Sequence, residues 1–172
     1  RLIKQSSNMV KEDLSPFQKW LSHLSYAIED VNEISWAQRL PDNAEYFNLH
    51  YSDGLQCPSW LLSDGTLRML GLTLLAFMEP KPQMLLIEEP ENGVHPKALE
   101  LIVQSLTNIP MAQVFVATHS PLLVQQVGIE PLLCFNRTER GTQIQHGPEH
   151  PVLKDWEGSP DLETVFASGI LQ

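Results

Sequence analysis

The chain has 172 residues, of which 42% are hydrophobic and 19% charged, as is typical of a globular protein with one sizeable core. A formal net charge of −10 excludes a broad basic face for nucleic acid, so any DNA contact must come from a local patch or from other regions. The sequence has no apolar run long enough to span a bilayer and no secretion signal. We therefore expect a cytoplasmic protein without a membrane partner, and a start at Arg1 suggests part of a longer chain.

The first region, residues 1–60, predicts a helix followed by antiparallel strands. In residues 15–29, a proline at the first helical position precedes apolar residues at intervals of three and four, which indicates an amphipathic helix. Runs rich in β-formers at 32–40 and 45–51 flank a Pro-Asp-Asn turn, and a third extended segment covers 55–60.

The second region, residues 61–130, predicts an α/β core. Residues 66–78 are apolar on most faces and indicate a largely buried helix. The short apolar runs 83–87 and 114–117 predict buried strands, and residues 96–107 and 121–127 predict helices. Strand and helix in alternation predict a parallel, right-handed crossover, so the fold class is α/β with a small antiparallel β portion.

The third region, residues 131–172, predicts a hairpin that pairs 132–136 with 142–145, and then a short helix at 161–168. The two cysteines, Cys57 and Cys134, lie far apart and lack the spacing of metal ligands. We expect both to be free, buried thiols in a reducing compartment.

Two adjacent carboxylates end the first predicted strand of the α/β core, in the run Met-Leu-Leu-Ile-Glu-Glu-Pro at positions 84–90. Ligands of open α/β sheets bind at the carboxyl ends of strands. Because neighbouring strand residues point to opposite faces, Glu88 and Glu89 can hold different roles, one beside hydrated Mg²⁺ and the other beside an attacking water. Solvated acidic residues at a strand end are the simpler interpretation of this motif taken alone.

A histidine follows the next strand, in Thr-His-Ser-Pro at positions 118–121. An imidazole at the end of a neighbouring strand can sense a γ-phosphate or hold the attacking water. A lone histidine after a strand is more often structural, so the value of His119 depends on its neighbours.

The tripeptide Ser63, Asp64 and Gly65, here called the signature segment, precedes the helix predicted at 66–78. Ser63 or Asp64 would cap the helix, which explains these residues structurally. The amides of a helix N-terminus also bind anions, and a glycine lets a phosphate approach the backbone.

The three motifs together, in this order and spacing, resemble the ABC-type ATPases of the structural-maintenance-of-chromosomes (SMC), RecF and overcoming-lysogenization-defect (OLD) group, in particular the prokaryotic OLD-like ATPases of defence systems. The resemblance covers residues 48–127 strongly and implies the C-terminal lobe of an ABC-type P-loop ATPase. It also implies ATP and Mg²⁺ as cofactors.

By this resemblance, Glu88 matches the Walker B acid that supports Mg²⁺, Glu89 matches the carboxylate that polarises water, and His119 matches the switch histidine. The Walker B position is usually Asp, so contact between Glu88 and the metal is either direct or through water. The segment 91–96 matches the loop that communicates across a dimer interface, where His95 is either a metal ligand or a structural residue at a helix start.

The signature segment matches the motif that contacts the nucleotide of the opposite subunit, which implies a two-fold dimer with ATP sandwiched twice. Arg68, one turn into the helix, then faces a phosphate or the interface, or forms a surface ion pair. The family's OLD members also carry a C-terminal nuclease domain, but Asp155, Glu157, Asp161 and Glu163 lack a strand context, so we expect no nuclease site here.

One departure from the family is important: G-x-x-x-x-G-K-[ST] is absent, because no glycine is followed by Lys-Ser or Lys-Thr. The leading hypothesis is an ATPase lobe that hydrolyses ATP only with a phosphate loop supplied by other polypeptide. It would gate a DNA-related or anti-phage effector, such as a nuclease protein. The alternatives are a catalytically silent scaffold that binds a partner protein and, less favoured, a transporter cassette.

Overall fold

A computed structural model of the chain describes residues 14–40, 42–154 and 164–165. The described residues divide into two compact units, with the boundary between Ser59 and Trp60. The first unit contains one helix and a three-stranded sheet, and the second contains the parallel strands, their helices and a hairpin.

The first unit starts with helix α1 (Pro16–Leu24), which is shorter than the helix predicted at 15–29. Ser15 and Gln18 form a capping box at its start. At this end of the helix, the Ser25 hydroxyl donates to the Ser22 carbonyl at 2.7 Å. That carbonyl would accept from Tyr26 in a continuing helix, and the Tyr26 amide donates to the His23 carbonyl instead.

The antiparallel strands of this unit match the sequence-based prediction closely. They are β1 (Val31–Arg39), β2 (Ala44–Tyr51) and β3 (Gln56–Pro58), in the order β1-β2-β3. The predicted third extended segment, 55–60, contains β3 and continues into a 3-10 turn at Ser59–Leu61. In the β1–β2 turn, Arg39 pairs with Asp42 at 2.5 Å, and this guanidinium lowers the pKa of Asp42 to about 2.

The second unit contains the predicted parallel strand pair. Helix α2 (Asp64–Leu74) continues as a 3-10 turn, Leu75–Phe77, so it starts two residues before the predicted helix and ends earlier. Strands β4 (Gln83–Glu88) and β5 (Ala112–Ala117) are parallel, and helices α3 (Pro96–Thr107) and α4 (Pro121–Val127) follow them. Helix α2 packs on α3, which packs on α4. The buried apolar side chains of these helices are Met69, Leu70, Leu99, Leu101, Ile102, Leu106, Leu123 and Val124.

The prediction that both parallel strands are buried was wrong for one face of the pair. Exposure alternates along each strand, and the side chains of Met84, Leu86 and Phe115 are 62%, 77% and 38% exposed. We call this side, with Glu88, the open face. Continuous apolar runs are typical of strands covered on both sides, and among the described residues this side has no cover.

The hairpin of the second unit consists of β6 (Leu133–Thr138) and β7 (Gly141–His146), as predicted. Cys134 of this hairpin belongs to a small buried core that also contains Val124, Leu153 and Val165. Both cysteines are free thiols, but the prediction that both are buried is correct only for Cys134, because Cys57 is half-buried. The helix predicted at 161–168 lies outside the described residues apart from 164–165, which are helical, and the four acidic residues between 155 and 163 also lie outside them.

In the described part of the chain, no helix combines the length and apolar character needed to cross a bilayer.

Candidate functional site

The carboxyl ends of β4 and β5 bring the candidate catalytic segments together. Glu88 pairs in register with Ala117, the last residue of β5. The Glu89 amide donates to the Ala117 carbonyl at 2.8 Å, which extends the ladder by one residue. His119 follows two residues later and is exposed. The two carboxylates and the imidazole therefore sit at adjoining strand ends, as the sequence predicted.

The backbone changes direction at Glu89. This residue has φ of 45°, a left-handed conformation that side-chain-bearing residues rarely adopt. Its carbonyl accepts from the Asn92 amide at 3.1 Å, closing a turn, and Pro90 is fully buried beneath it. The turn separates the two carboxylates, because Glu88 remains exposed on the open face while Glu89 is half-buried. This separation suits two different chemical roles.

A side-chain hydrogen bond joins the turns that follow the two strands. The Thr118 hydroxyl donates to Oε1 of Glu91 at 2.6 Å, and the Thr118 oxygen accepts from the Ser120 amide at 2.9 Å. The second oxygen of Glu91, Oε2, is buried with no partner among the described residues. Sequence reasoning included Glu91 only as part of the loop 91–96 and assigned no individual role to Glu91 or Thr118. The available signal was a polar residue immediately after β5 and a third carboxylate three positions after Glu88.

The signature segment caps helix α2. The Ser63 Oγ accepts from the Thr66 amide at 3.1 Å and lies 2.9 Å from the Thr66 hydroxyl. Asp64 occupies the first helical turn, where a negative charge interacts favourably with the helix dipole. The predicted structural role of Ser63 is confirmed, and its contact with a nucleotide stays a prediction.

Gly65 is buried because the backbone of the turn after β4 lies directly against it. A Cβ atom at this position would lie 2.0 Å from the carbonyl oxygen of Gly93. Only glycine permits this close approach without a shift of the backbone. The start of α2 therefore abuts the turn that carries Glu89.

Arg68 makes a contact that the sequence did not suggest. Its Nη1 donates to the carbonyl oxygen of Glu89 at 2.6 Å. Among the described residues Arg68 forms no surface ion pair, and a contact with a phosphate or a dimer interface stays a prediction because this bond uses only one of the five guanidinium N–H groups. It adds a second connection between α2 and the turn that carries Glu89.

His95 has the structural role that the sequence favoured. Its Nδ1 accepts from the Lys97 amide at 3.2 Å, which caps helix α3 at the proline that begins it. Within the described ranges, no group of three His, Cys, Asp or Glu side chains is arranged to hold a metal.

Glu88 fits a different kind of metal site, in which one protein carboxylate assists a magnesium ion that is also held by phosphates and water. The Glu88 side chain is exposed, and no described residue forms a hydrogen bond with its carboxylate. It lines a hollow of about 270 Å³ on the open face, together with Leu86, Ile87, Phe115 and Ala117. The carboxylate is therefore free to bind a hydrated cation beside a neighbouring ligand.

Comparison with known proteins identifies a matching family and a solved structure of similar fold. The family model described as "AAA domain, putative AbiEii toxin, Type IV TA system" matches residues 6–125, more than half of the chain. No curated protein sequence matches the chain significantly.

Among solved structures, a similar chain comes from work on "ATP-driven dimerization and DNA stimulated activation of SMC ATPases". The superposition has a TM-score of 0.55 at 8% sequence identity, and it covers 76% of this chain and 82% of that chain. At this identity the likeness shows the fold, which is the α/β fold of a P-loop ATPase with small antiparallel sheets.

Proposed function

The chain belongs to the AAA domain family that its matching model describes, and from this premise we propose that it supplies part of an ATP-hydrolysing site in a two-fold dimer. The observation that carries the proposal is the meeting of Glu88, Glu89 and the turn leading to His119 at the adjoining ends of two parallel strands. Bound ligands of α/β sheets lie in this position.

The proposed roles of the three residues follow from their exposure and chemistry. Glu88 holds Mg²⁺ directly or through water, and the ion, when bound, neutralises charge on the β- and γ-phosphates. Glu89 accepts a proton from the attacking water and orients it. His119 is exposed and would donate a hydrogen bond to the γ-phosphate or to the attacking water.

The signature segment contacts the phosphates of the nucleotide bound to the opposite subunit. Helix α2 has 11 residues and a capped N-terminus, and its first amides suit an anion. Two copies related by a two-fold axis would each complete the other's site. The SMC ATPase of similar fold is described as dimerising on ATP, which supports the same arrangement here.

The phosphate-binding loop must come from polypeptide outside these 172 residues, because the sequence lacks G-x-x-x-x-G-K-[ST]. The open face supports this part of the proposal. It presents Met84, Leu86 and Phe115 next to Glu88, and a parallel sheet needs a cover on both sides. A phosphate-loop segment packed there would hold ATP beside the Glu88 carboxylate.

We propose, more narrowly, that the protein is an OLD-like ATPase whose ATP-driven dimerisation gates an effector in the cytoplasm. The Glu-Glu-Pro-Glu-Asn-Gly and Thr-His-Ser-Pro motifs support this placement. The family description names a toxin of a toxin–antitoxin system, which supports a defence role, and the SMC ATPase is described as DNA-stimulated. Because the net charge is −10, any DNA contact would come from a local patch, from other regions or from the effector.

The deciding experiment uses the full-length protein with its phosphate loop. ATP turnover, ATP binding and ATP-dependent dimerisation are measured for the wild type, for Glu89→Gln and for the control Glu79→Gln, an exposed glutamate before β4. We expect Glu89→Gln to reduce ATP turnover by about a hundredfold or more, while ATP binding and ATP-dependent dimerisation are retained. Glu79→Gln should behave as the wild type. A wild type that neither binds nor hydrolyses ATP would favour the silent scaffold.

A further inference from the structure

We propose that Arg68 is a positioning residue for Glu89, which connects the signature segment to the hydrolytic carboxylate within one subunit. The part of this inference that concerns catalysis rests on the proposed function. The contact itself, from the guanidinium to the Glu89 carbonyl at 2.6 Å, is independent of that function.

The conformation of Glu89 needs external support. A left-handed backbone conformation is unfavourable for a residue that carries a side chain, and Glu89 has φ of 45°. Such a conformation persists only where the surroundings hold it. Three hydrogen bonds do so here: the Glu89 amide donates to Ala117, and its carbonyl accepts from the Asn92 amide and from Arg68.

Arg68 is the only one of these three supports that reaches Glu89 from helix α2. Gly65 lies three residues before it on the same helix, and residues three apart share a helix face. This face of α2 therefore contacts the turn after β4 at two points. Gly65 packs against Gly93, and Arg68 donates a hydrogen bond to Glu89. The first turn of α2 cannot move independently of the catalytic turn while both contacts hold.

This linkage has a consequence in a two-fold dimer. The signature segment would touch the nucleotide of the opposite subunit, whereas Glu89 would act on the nucleotide of its own subunit. A phosphate docked at the start of α2 then stabilises the turn that orients Glu89. In this proposal Arg68 acts through Glu89 and not on either nucleotide, so its loss should lower kcat and leave ATP affinity largely intact.

The test compares Arg68→Met, which removes the donor at similar length, with Arg68→Lys, which keeps a charge and one donor group. Arg137→Met, an exposed arginine of β6, is the matched control. In the full-length protein we expect Arg68→Met to lower kcat about tenfold or more, with KM and the ATP Kd within about twofold. Arg68→Lys should recover part of kcat, and the control should equal the wild type.

A purely structural role predicts a different pattern. If the loss of kcat in Arg68→Met disappeared when turnover was normalised to folded protein, or at a lower temperature, the positioning role would be refuted. Unchanged kcat in a folded, ATP-binding Arg68→Met variant would refute it as well.

Hydrogen exchange supplies a readout that needs no ATPase activity. The Asn92 amide donates to the same carbonyl as Arg68, so loosening the turn should expose it. We expect exchange at Asn92 to be about threefold or more faster in Arg68→Met, with exchange in α4 unchanged. Equal exchange at Asn92 would overturn the inference even if the wild type proved inactive, whereas faster exchange in an inactive protein would refute only the proposed function.

Discussion

Thr118 and Glu91 are hydrogen-bonded at 2.6 Å although 27 positions separate them in the sequence. The bond ties the turn after β5, which carries His119, to the turn after β4, which carries Glu89. The Thr118 hydroxyl has a defined direction because its oxygen also accepts from the Ser120 amide. The two candidate catalytic turns thus form one connected structure.

Loss of this bond should destabilise the second unit. In Thr118→Val, Oε1 of Glu91 loses its partner next to Oε2, which is buried and unpaired among the described residues. We expect the free energy of unfolding to fall by about 1–3 kcal/mol, measured by urea denaturation with an unchanged m-value. Thr118→Ser should be much more stable than Thr118→Val, because serine keeps the hydroxyl. A Val variant as stable as the wild type would show that the bond has no net effect.

Replacing two glycines of helix α2 by alanine should change the stability of the protein in opposite directions. In Gly65→Ala the new methyl group would meet the Gly93 carbonyl oxygen at 2.0 Å, and backbone on both sides must shift. We expect a loss of about 1–3 kcal/mol. Gly71 lies in the helix interior with open space around it, so Gly71→Ala should gain about 0.5–1 kcal/mol. Thermal denaturation measures both, and a shift of both variants in the same direction contradicts the packing described.

A cysteine on the open face should report whether other polypeptide covers it. Leu86 is 77% exposed, so a thiol in Leu86→Cys should react readily in the 172-residue chain. In the full-length ATPase we expect the reaction to be about tenfold or more slower, because the proposed phosphate-loop segment buries this position.

The matched control is Ile144→Cys on β7, where the native side chain is 59% exposed. Its thiol should react at similar rates in both proteins. Equal reactivity of Leu86→Cys in the two proteins would mean that the open face stays uncovered.

The native cysteines should differ in reactivity and in pH dependence. Burial raises the pKa of the Cys134 thiol above its ordinary value, and only 8% of its surface is exposed. Since the thiolate is the nucleophile, Cys57 should react first with iodoacetamide at pH 8. Mass spectrometry of labelled peptides measures the order, and faster labelling of Cys134 would contradict the core described around it.

The same pKa shift affects stability at alkaline pH. Because the folded state raises the pKa, the neutral Cys134 thiol contributes stability below its ordinary pKa of 9.0, and this contribution is lost as the pH rises further. We expect the decline in Tm above pH 9 to be shallower in Cys134→Ala than in the wild type. An identical decline would mean that the thiol titrates normally.

Local sequence signals determined the elements that carry the site. The apolar runs at β4 and β5 are too short for helices, and Pro96 and Pro121 each begin a helix, so the strand–helix order was readable. Glu88, Glu89 and His119 could be placed at strand ends for the same reason. The end of α1 was predicted too late, because the Tyr26 amide donates to the His23 carbonyl in an i→i−3 bond that apolar spacing does not reveal.

The sequence by itself therefore determined the order of the elements, the family resemblance and the absence of a G-x-x-x-x-G-K-[ST] motif, since all of these depend on neighbouring residues or on motif spacing. Only the tertiary structure decided that Arg68 holds the Glu89 carbonyl, that Thr118 bonds to Glu91 and that Gly65 meets Gly93. These contacts join residues more than 20 positions apart, and they exist only because parallel pairing and helix packing bring separate turns together. The open face likewise could not be predicted from the sequence, because exposed and buried apolar residues in a parallel strand have the same sequence pattern.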